Sequence, residues 1–333
     1  MKKVLSLILA LAMVFALVAC GEKQPSNDGN TDGDKPARGN VIMTFGTADT
    51  GGSMYPAGAA VSQVWTNNVE GVKCNTQTST GSFQNCQDVS TGEVDVAVAT
   101  SDVVLNAYNG TGKFADIGKL DNLRVIGAVY TSVLSGVALK SSGLTYIHDL
   151  LGKRVAVGPA ASATENATLA AFGVMGIDSS NTSLENLGLG DGADSVGDGI
   201  LDAAFGFAGL PIGGQLNLAA TKEIQVLDMT QEEIDKVLAG NAAYIQTKIP
   251  AGTYTGQDND ANTFGVKCLI IVTADMDADL VYDLCKAMNE HTEELAAGNA
   301  LLKDMTDPSF LCTQMPIPLH DGAQKYYSEQ GLI

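Results

Sequence analysis

Three short stretches rich in Gly, Ser and Thr have the chemistry to bind an anion: Thr50–Ser53, Ser79–Ser82 and Ser162–Thr164. Each ends a strand-like run and opens a segment with helical apolar spacing. The first turn of a helix leaves backbone N–H groups unpaired and carries a partial positive charge. Glycine lets a ligand approach that backbone closely, and Ser or Thr hydroxyls add further donors. One such junction reads as an ordinary helix cap. Three of them, in a chain with an export leader, read as a site for a carboxylate or another small anion.

Other chemistry is poorly provisioned. The three histidines, His148, His291 and His320, stand far apart without a nucleophile motif beside them. Ala193-Asp194-Ser195-Val196-Gly197 only approximates the GxSxG elbow of a serine hydrolase. Gly188–Gly197 loosely resembles a dinucleotide loop, but Asp191, Asp194 and Asp198 crowd the place of a pyrophosphate, so a plain loop and helix start is favoured. Asp275-Met276-Asp277-Ala278-Asp279 has the opening spacing of a calcium loop without its later Gly and Glu, and reads as helix capping. Asp258-Asn259-Asp260 is a second acidic loop of the same weak kind. No catalytic residue, metal or cofactor is expected. For Cys74 and Cys86, a disulfide and buried free thiols both remain open.

The elements that must position the three junctions alternate along the chain. Val41–Ala48, Val72–Ser79 and Val94–Ala99 read as strands, each followed by a helix: Tyr55–Asn68, Phe83–Val89 and Val103–Tyr108. Ser101-Asp102 is expected to cap the last of these. Arg124–Tyr130, Ser135–Leu139 and Arg154–Val157 are further strands, then Glu165–Val174 is a helix. Cys268–Thr273 is a late apolar strand before the helix Leu280–His291. Such alternation predicts parallel α/β sheets with helices on both faces. Gly92–Ala99 is echoed by Gly199–Gly206, each with an aspartate, Asp95 or Asp202, opening a buried strand. The echo hints at two similarly built lobes, with Cys268–Thr273 recrossing between them.

The chain has 333 residues, 19 Lys plus Arg against 38 Asp plus Glu, and a formal net charge of −19. That acidity opposes nucleic-acid binding, and Lys2 and Lys3 are too few for a basic membrane patch. A hydrophobic fraction of 45% excludes a disordered chain. Residues 1–19 form a basic, then apolar leader too short to span a bilayer and read as a signal peptide. Leu17-Val18-Ala19-Cys20-Gly21 resembles a bacterial lipobox, which implies cleavage before Cys20 and its acylation. Cleavage would remove Lys2 and Lys3 and take the formal charge from −19 to −21. Residues 20–40 then form a flexible, polar linker holding a globular body at a lipid bilayer. Arg38, Arg124 and Arg154 are the only arginines; the first is in the linker and the other two fall in strands, where a structural role is expected.

With these stretches assembled, the chain resembles the solute-binding proteins of TRAP transporters, specifically the TAXI subfamily. The resemblance rests on GTADTGGSMYP at Gly46–Pro56, STGSFQN at Ser79–Asn85, and Ser101-Asp102 followed by AYNGTGKF at Ala107–Phe114. It continues through GKRVAVG at Gly152–Gly158, SATE at Ser162–Glu165, IPAGTYTGQD at Ile249–Asp258 and PIPLHDGAQKYY at Pro316–Tyr327. It implies a type II periplasmic-binding-protein fold: two α/β lobes joined by crossing hinge strands, with a ligand cleft between them. Lobe 1 is expected at 41–139 plus 268–333 and lobe 2 at 140–267. By motif position the implied contacts are Gly51, Gly52, Ser53, Tyr55, Thr80, Gly81, Ser82, Ser101, Asp102, Ser162, Thr164 and Gly209. The implied solute is a small organic acid or amino acid, such as glutamate or 2-oxoglutarate, handed to the membrane subunits of a TRAP permease. Ala48, Asp49, Thr80 and Ala163 depart from the family's glycines, and an Asp49 facing the cleft would suit an amino group better than a carboxylate. An enzyme on the same scaffold, with Tyr55 and Asp102 as its players, and a sensory lipoprotein are the competing readings.

Overall fold

The computed structural model describes residues 39–50 and 52–333. The leader 1–19, Cys20, all but the last two residues of the linker and Gly51 lie outside them. Ten strands form one mixed sheet in the order β2-β1-β3-β10-β4-β7-β5-β6, with β8 beside β4 and β9 beside β10. The strands are β1 (Val41–Gly46), β2 (Val72–Gln77), β3 (Val96–Thr100), β4 (Leu123–Leu139) and β5 (Arg154–Ala156). They continue with β6 (Ser183–Glu185), β7 (Ala203–Ala208), β8 (Ile224–Val226), β9 (Ile245–Ile249) and β10 (Ala261–Thr273).

Two parallel sets of three strands stand at the ends of this order. In the first, β1 pairs with β2 and β3; in the second, β5 pairs with β6 and β7. Every residue of β3 and β7 is buried, as expected for strands covered on both faces. The echo between Gly92–Ala99 and Gly199–Gly206 is a shared structure. Gly92 and Gly199 both take left-handed backbone, with φ of 79° and 74°. Asp95 Oδ2 accepts the N–H of Thr44 at 2.7 Å, and Asp202 Oδ2 accepts that of Arg154 at 2.9 Å. Each aspartate thus ties the start of its strand to the neighbouring parallel strand.

The sheet is mixed rather than parallel because β4 and β10 run antiparallel between the two sets. Leu123–Val133 of β4 pairs with β10, and Val133–Ala138 pairs with β7. Cys268–Ile271 of β10 pairs with β3, and Ala261–Gly265 pairs with β9. The sequence suggests a break between Tyr130 and Ser135, where Thr131 and Ser132 interrupt the apolar run. The strand continues because its backbone exchanges one partner for another without losing hydrogen bonds. Ser132 Oγ is accommodated by Cys268 Sγ, 3.0 Å away.

Helices cover both faces. Trp65, on the helix Met54–Asn68, is fully buried, stacks on Phe45 with ring centroids 5.5 Å apart, and donates its indole N–H to Leu284 O at 3.0 Å. Its partner satisfied, the indole adds apolar burial without an orphaned donor. Asp277 caps Ala278–Glu290 by accepting the Leu280 N–H at 2.7 Å, in keeping with the capping reading of that acidic stretch. Cys74, Cys86, Cys268, Cys285 and Cys312 are all free and buried, so no bridge joins Cys74 to Cys86. Burial pushes the Cys74 thiol up to about 11 and Cys268 to about 12.

Candidate functional site

Four helices begin at one cavity. They are α1 (Met54–Asn68), α2 (Ser82–Thr91), α4 (Ala163–Val174) and α5 (Leu189–Gly197); α3 (Ser101–Asn109) starts close by. Gly52, Ser53 and Met54 bring the start of α1 to the cavity wall, and Thr80, Gly81 and Ser82 bring that of α2. Ser162, Ala163 and Thr164 bring α4, and Leu189 brings α5. Ala48, Asp49, Tyr130, Pro159, Phe207 and Ala208 complete the lining, around a volume of about 60 Å³.

The first two loops are tied to each other and to the sheet. Ser79 Oγ donates to Thr47 O at 2.8 Å and accepts the Gly81 N–H at 2.9 Å. Asn85 Nδ2 donates to Thr47 O at 2.6 Å and to Val98 O at 2.7 Å. Ser82 Oγ accepts the N–H of Thr100 at 3.1 Å. Gly81, before α2, has φ of 113°, a conformation that side chains resist, and no side chain caps the helix behind it. Ser53 does not cap α1 either; its hydroxyl donates to Gly209 O at 3.3 Å. The N-terminal donors of α1 and α2 are therefore not consumed by their own caps.

The second pair of helices is finished differently. Ser162 Oγ accepts the Glu165 N–H at 3.2 Å and caps α4. Thr164 Oγ1 accepts the Phe207 N–H at 3.1 Å, locking α4 to β7. Lys113 Nζ pairs with Glu165 Oε2, which also accepts the Ala161 N–H at 2.7 Å. Burial raises the Glu165 carboxyl, but the bonds from Lys113, Ala161 and Asn186 outweigh it and hold it below the ordinary glutamate range.

Of the residues singled out from sequence, Gly52, Ser53, Thr80, Gly81, Ser82, Ser162 and Thr164 converge on the cavity. Gly51 lies outside the described residues. Gly209 stands just behind the wall; a Cβ there would fall 1.7 Å from Leu301 Cδ1. Tyr55, half-buried on α1, and the buried Ser101 and Asp102 are outside the lining. Asp102 was expected to cap α3, but Thr100 is the N-cap residue and Asp102 lies in the first turn. Its Oδ2 instead accepts from Asn166 Nδ2 at 2.7 Å and from Tyr244 Oη at 3.2 Å. Burial pushes this carboxyl up, against the bonds from Thr100, Asn166, the Val103 N–H and Tyr244.

Asp49 does face the cavity, and among the described residues no Lys, Arg or His lines it. Arg124 is spent on backbone, donating to Asp121 O at 2.9 Å and Leu123 O at 2.7 Å. Arg154 pairs with Asp202 at 2.9 Å. Both therefore have the structural partners expected of them. Sequence reasoning missed Met54, Tyr130, Pro159, Leu189, Phe207 and Ala208. Tyr130 ends an apolar run and looks like core, whereas Leu189 opens the glycine-rich stretch whose helix start could have been added to the other three. Among the described residues, no group of three or more His, Cys, Asp or Glu is placed to hold a metal ion, and no helix is long and apolar enough to cross a membrane.

Residues 45–331 match the NMT1-like family. The chain belongs to that family. Among solved structures, PhnD1 from Prochlorococcus marinus in complex with methylphosphonate is similar to it with a TM-score of 0.53 at 11% identity, over 88% of this chain and 99% of that one. The alkanesulfonate-binding protein SsuA from Xanthomonas axonopodis pv. citri, bound to MOPS, aligns with a TM-score of 0.48 at 15% identity, over 89% of this chain and 85% of that one. The fold of this NMT1-like chain is the type II periplasmic-binding-protein fold, two α/β lobes on a mixed sheet.

Proposed function

We propose that this chain is an extracytoplasmic solute receptor that captures a small organic acid or amino acid between its lobes, the latter favoured by Asp49 at the cavity, and delivers it to the membrane subunits of a TRAP-type permease. The observation that carries the reading is the convergence of four helix N-termini on one small cavity that no cationic side chain lines among the described residues. Backbone N–H groups and hydroxyls can hold an anion there. The lobes are 41–139 plus 268–333 and 140–267, with β4 and β10 crossing between them. The leader and Cys20 supply export and a lipid anchor. Among the described residues no histidine or cysteine lines the cavity, and Asp102 is engaged elsewhere, which favours binding over catalysis. The test is a thermal-shift screen of organic acids and amino acids, followed by calorimetry and recovery of the solute. One solute raising the melting temperature and returning chemically unchanged is the expected result. Folded protein stabilised by no candidate overturns the reading.

A further inference from the structure

We infer that Gly209 is a positioning residue: it leaves the room in which the two lobes meet beside the cavity, and so controls access to the cavity without touching the solute. This rests on the two-lobed receptor reading above.

Gly209 follows β7 in the lobe 140–267, one residue beyond the cavity-lining Ala208. It is buried but stands outside the lining. Its close neighbours belong to the other lobe. Its carbonyl accepts the Ser53 hydroxyl at 3.3 Å. A Cβ on it would lie 1.7 Å from Leu301 Cδ1, 3.1 Å from Leu301 Cγ and 3.2 Å from Tyr130 Cδ2. Ser53 and Tyr130 both line the cavity, so the seam between the lobes runs along its wall.

The backbone does not call for glycine here, because φ at Gly209 is not positive. The close approach does. Among the described residues, no other glycine has an obstruction this near. Turning Leu301 Cδ1 aside would not clear the site. Leu301 Cγ and the Tyr130 ring would still press on the new carbon, and Tyr130, 1% exposed, has no space to retreat. A branched side chain at 209 therefore parts the lobes at this seam. The seam shields residues on both sides of it. Met54 from one lobe and Phe207 from the other line the cavity, yet are only 7% and 3% exposed.

The experiment is hydroxyl-radical footprinting of the full-length chain without solute, read residue by residue by mass spectrometry. It compares the unaltered chain with Gly209→Val, Leu301→Ala and the two together. Gly209→Val adds an isopropyl group and Leu301→Ala removes one, so the pair restores the volume of the seam. In Gly209→Val, Met54, Tyr130 and Phe207 are oxidised several-fold faster than in the unaltered chain, and in the pair they return to its rate. Trp65 and Phe45, stacked in the core, react equally slowly in all four chains. A rise that includes Trp65 and Phe45 assigns Gly209 to folding alone and overturns the inference. So does a Gly209→Val chain that labels like the unaltered one, or a pair that stays open. Should Gly209→Val fail to fold, Gly209→Ala with and without Leu301→Ala is judged by the same outcomes. Every one of these failures leaves the receptor reading standing, because that reading is decided by the solute screen.

Discussion

The strand set β1 to β3 and the set β5 to β7 share a frame but meet the cavity with different chemistry. Both have a left-handed glycine, an aspartate tying the buried strand to its neighbour, and helices starting above the strand ends. The helices beside the first set start on Ser53, whose side chain does not cap its helix, and on Gly81, which has no side chain to do so. On the second side α4 is capped by Ser162 and locked to β7 by Thr164. The difference teaches how one architecture divides the work. The first side offers open donors, and the second offers a fixed wall whose polar groups mostly serve the protein itself.

The sharpest way to break this comparison is Gly81→Val. A β-branched residue at φ of 113° is strained, and rearrangement would close the start of α2. Binding is expected to weaken by about 100-fold or more in calorimetry, since both the donors and their spacing are lost. Retained affinity would show that the first side is not the donor side.

Next come two hydroxyl deletions, one on each side. Thr164→Val strands the buried Phe207 N–H and should cost about 1–3 kcal/mol of stability in chemical denaturation. Ser53→Ala removes a contact to Gly209 O that is only partly buried, so its cost should be near the low end, about 0.5 kcal/mol. Equal losses would erase the distinction between a structural and an open hydroxyl.

A smaller effect tests the polar contact between the sides. Burial raises the folded-state Asp102 carboxyl above its ordinary value of 3.8, so the folded chain binds that proton more tightly than the unfolded one. The Asp102 contribution is then favourable at low pH and is lost as pH rises through the folded value. Asp102→Asn should gain melting temperature relative to the unaltered chain as pH rises above the ordinary carboxyl value of 3.8, because the amide carries no charge to desolvate. A difference that is flat with pH would mean that burial does not dominate this group.

The smallest expected effect is at the rim. Lys113 and Glu165 are 38% and 14% exposed, so Lys113→Ala should cost about 0.2–1 kcal/mol and less at high salt. Parallel titrations at low and high ionic strength check it.

Much of this was legible in the residues. The glycine, hydroxyl and helix-start junctions at Gly52-Ser53, Thr80–Ser82 and Ser162–Thr164 announce themselves by local chemistry, and the structure gathers them. The Gly-x-x-Asp echo announces the repeated strand frame. What was hidden depends on long-range pairing. Thr131 and Ser132 look like the end of a strand until β7 is seen to take over from β10. Asp102 looks like a cap because its true partners, Asn166 and Tyr244, are 64 and 142 residues away. Tyr130 carries no local mark; only its place in the cavity wall separates it from core aromatics.

The five buried thiols give the molecule an internal clock. Thiolate is the reactive form, and burial holds all five in the protonated state and away from reagents. Alkylation at neutral pH therefore proceeds only as fast as the chain opens, and because all five lie within 41–139 and 268–333, the modified positions report which part of that lobe opens first. A solute that binds the closed form should slow every one of these reactions together. Maturation of the described fold also consumes no oxidant, so it can proceed unchanged on either side of a redox boundary.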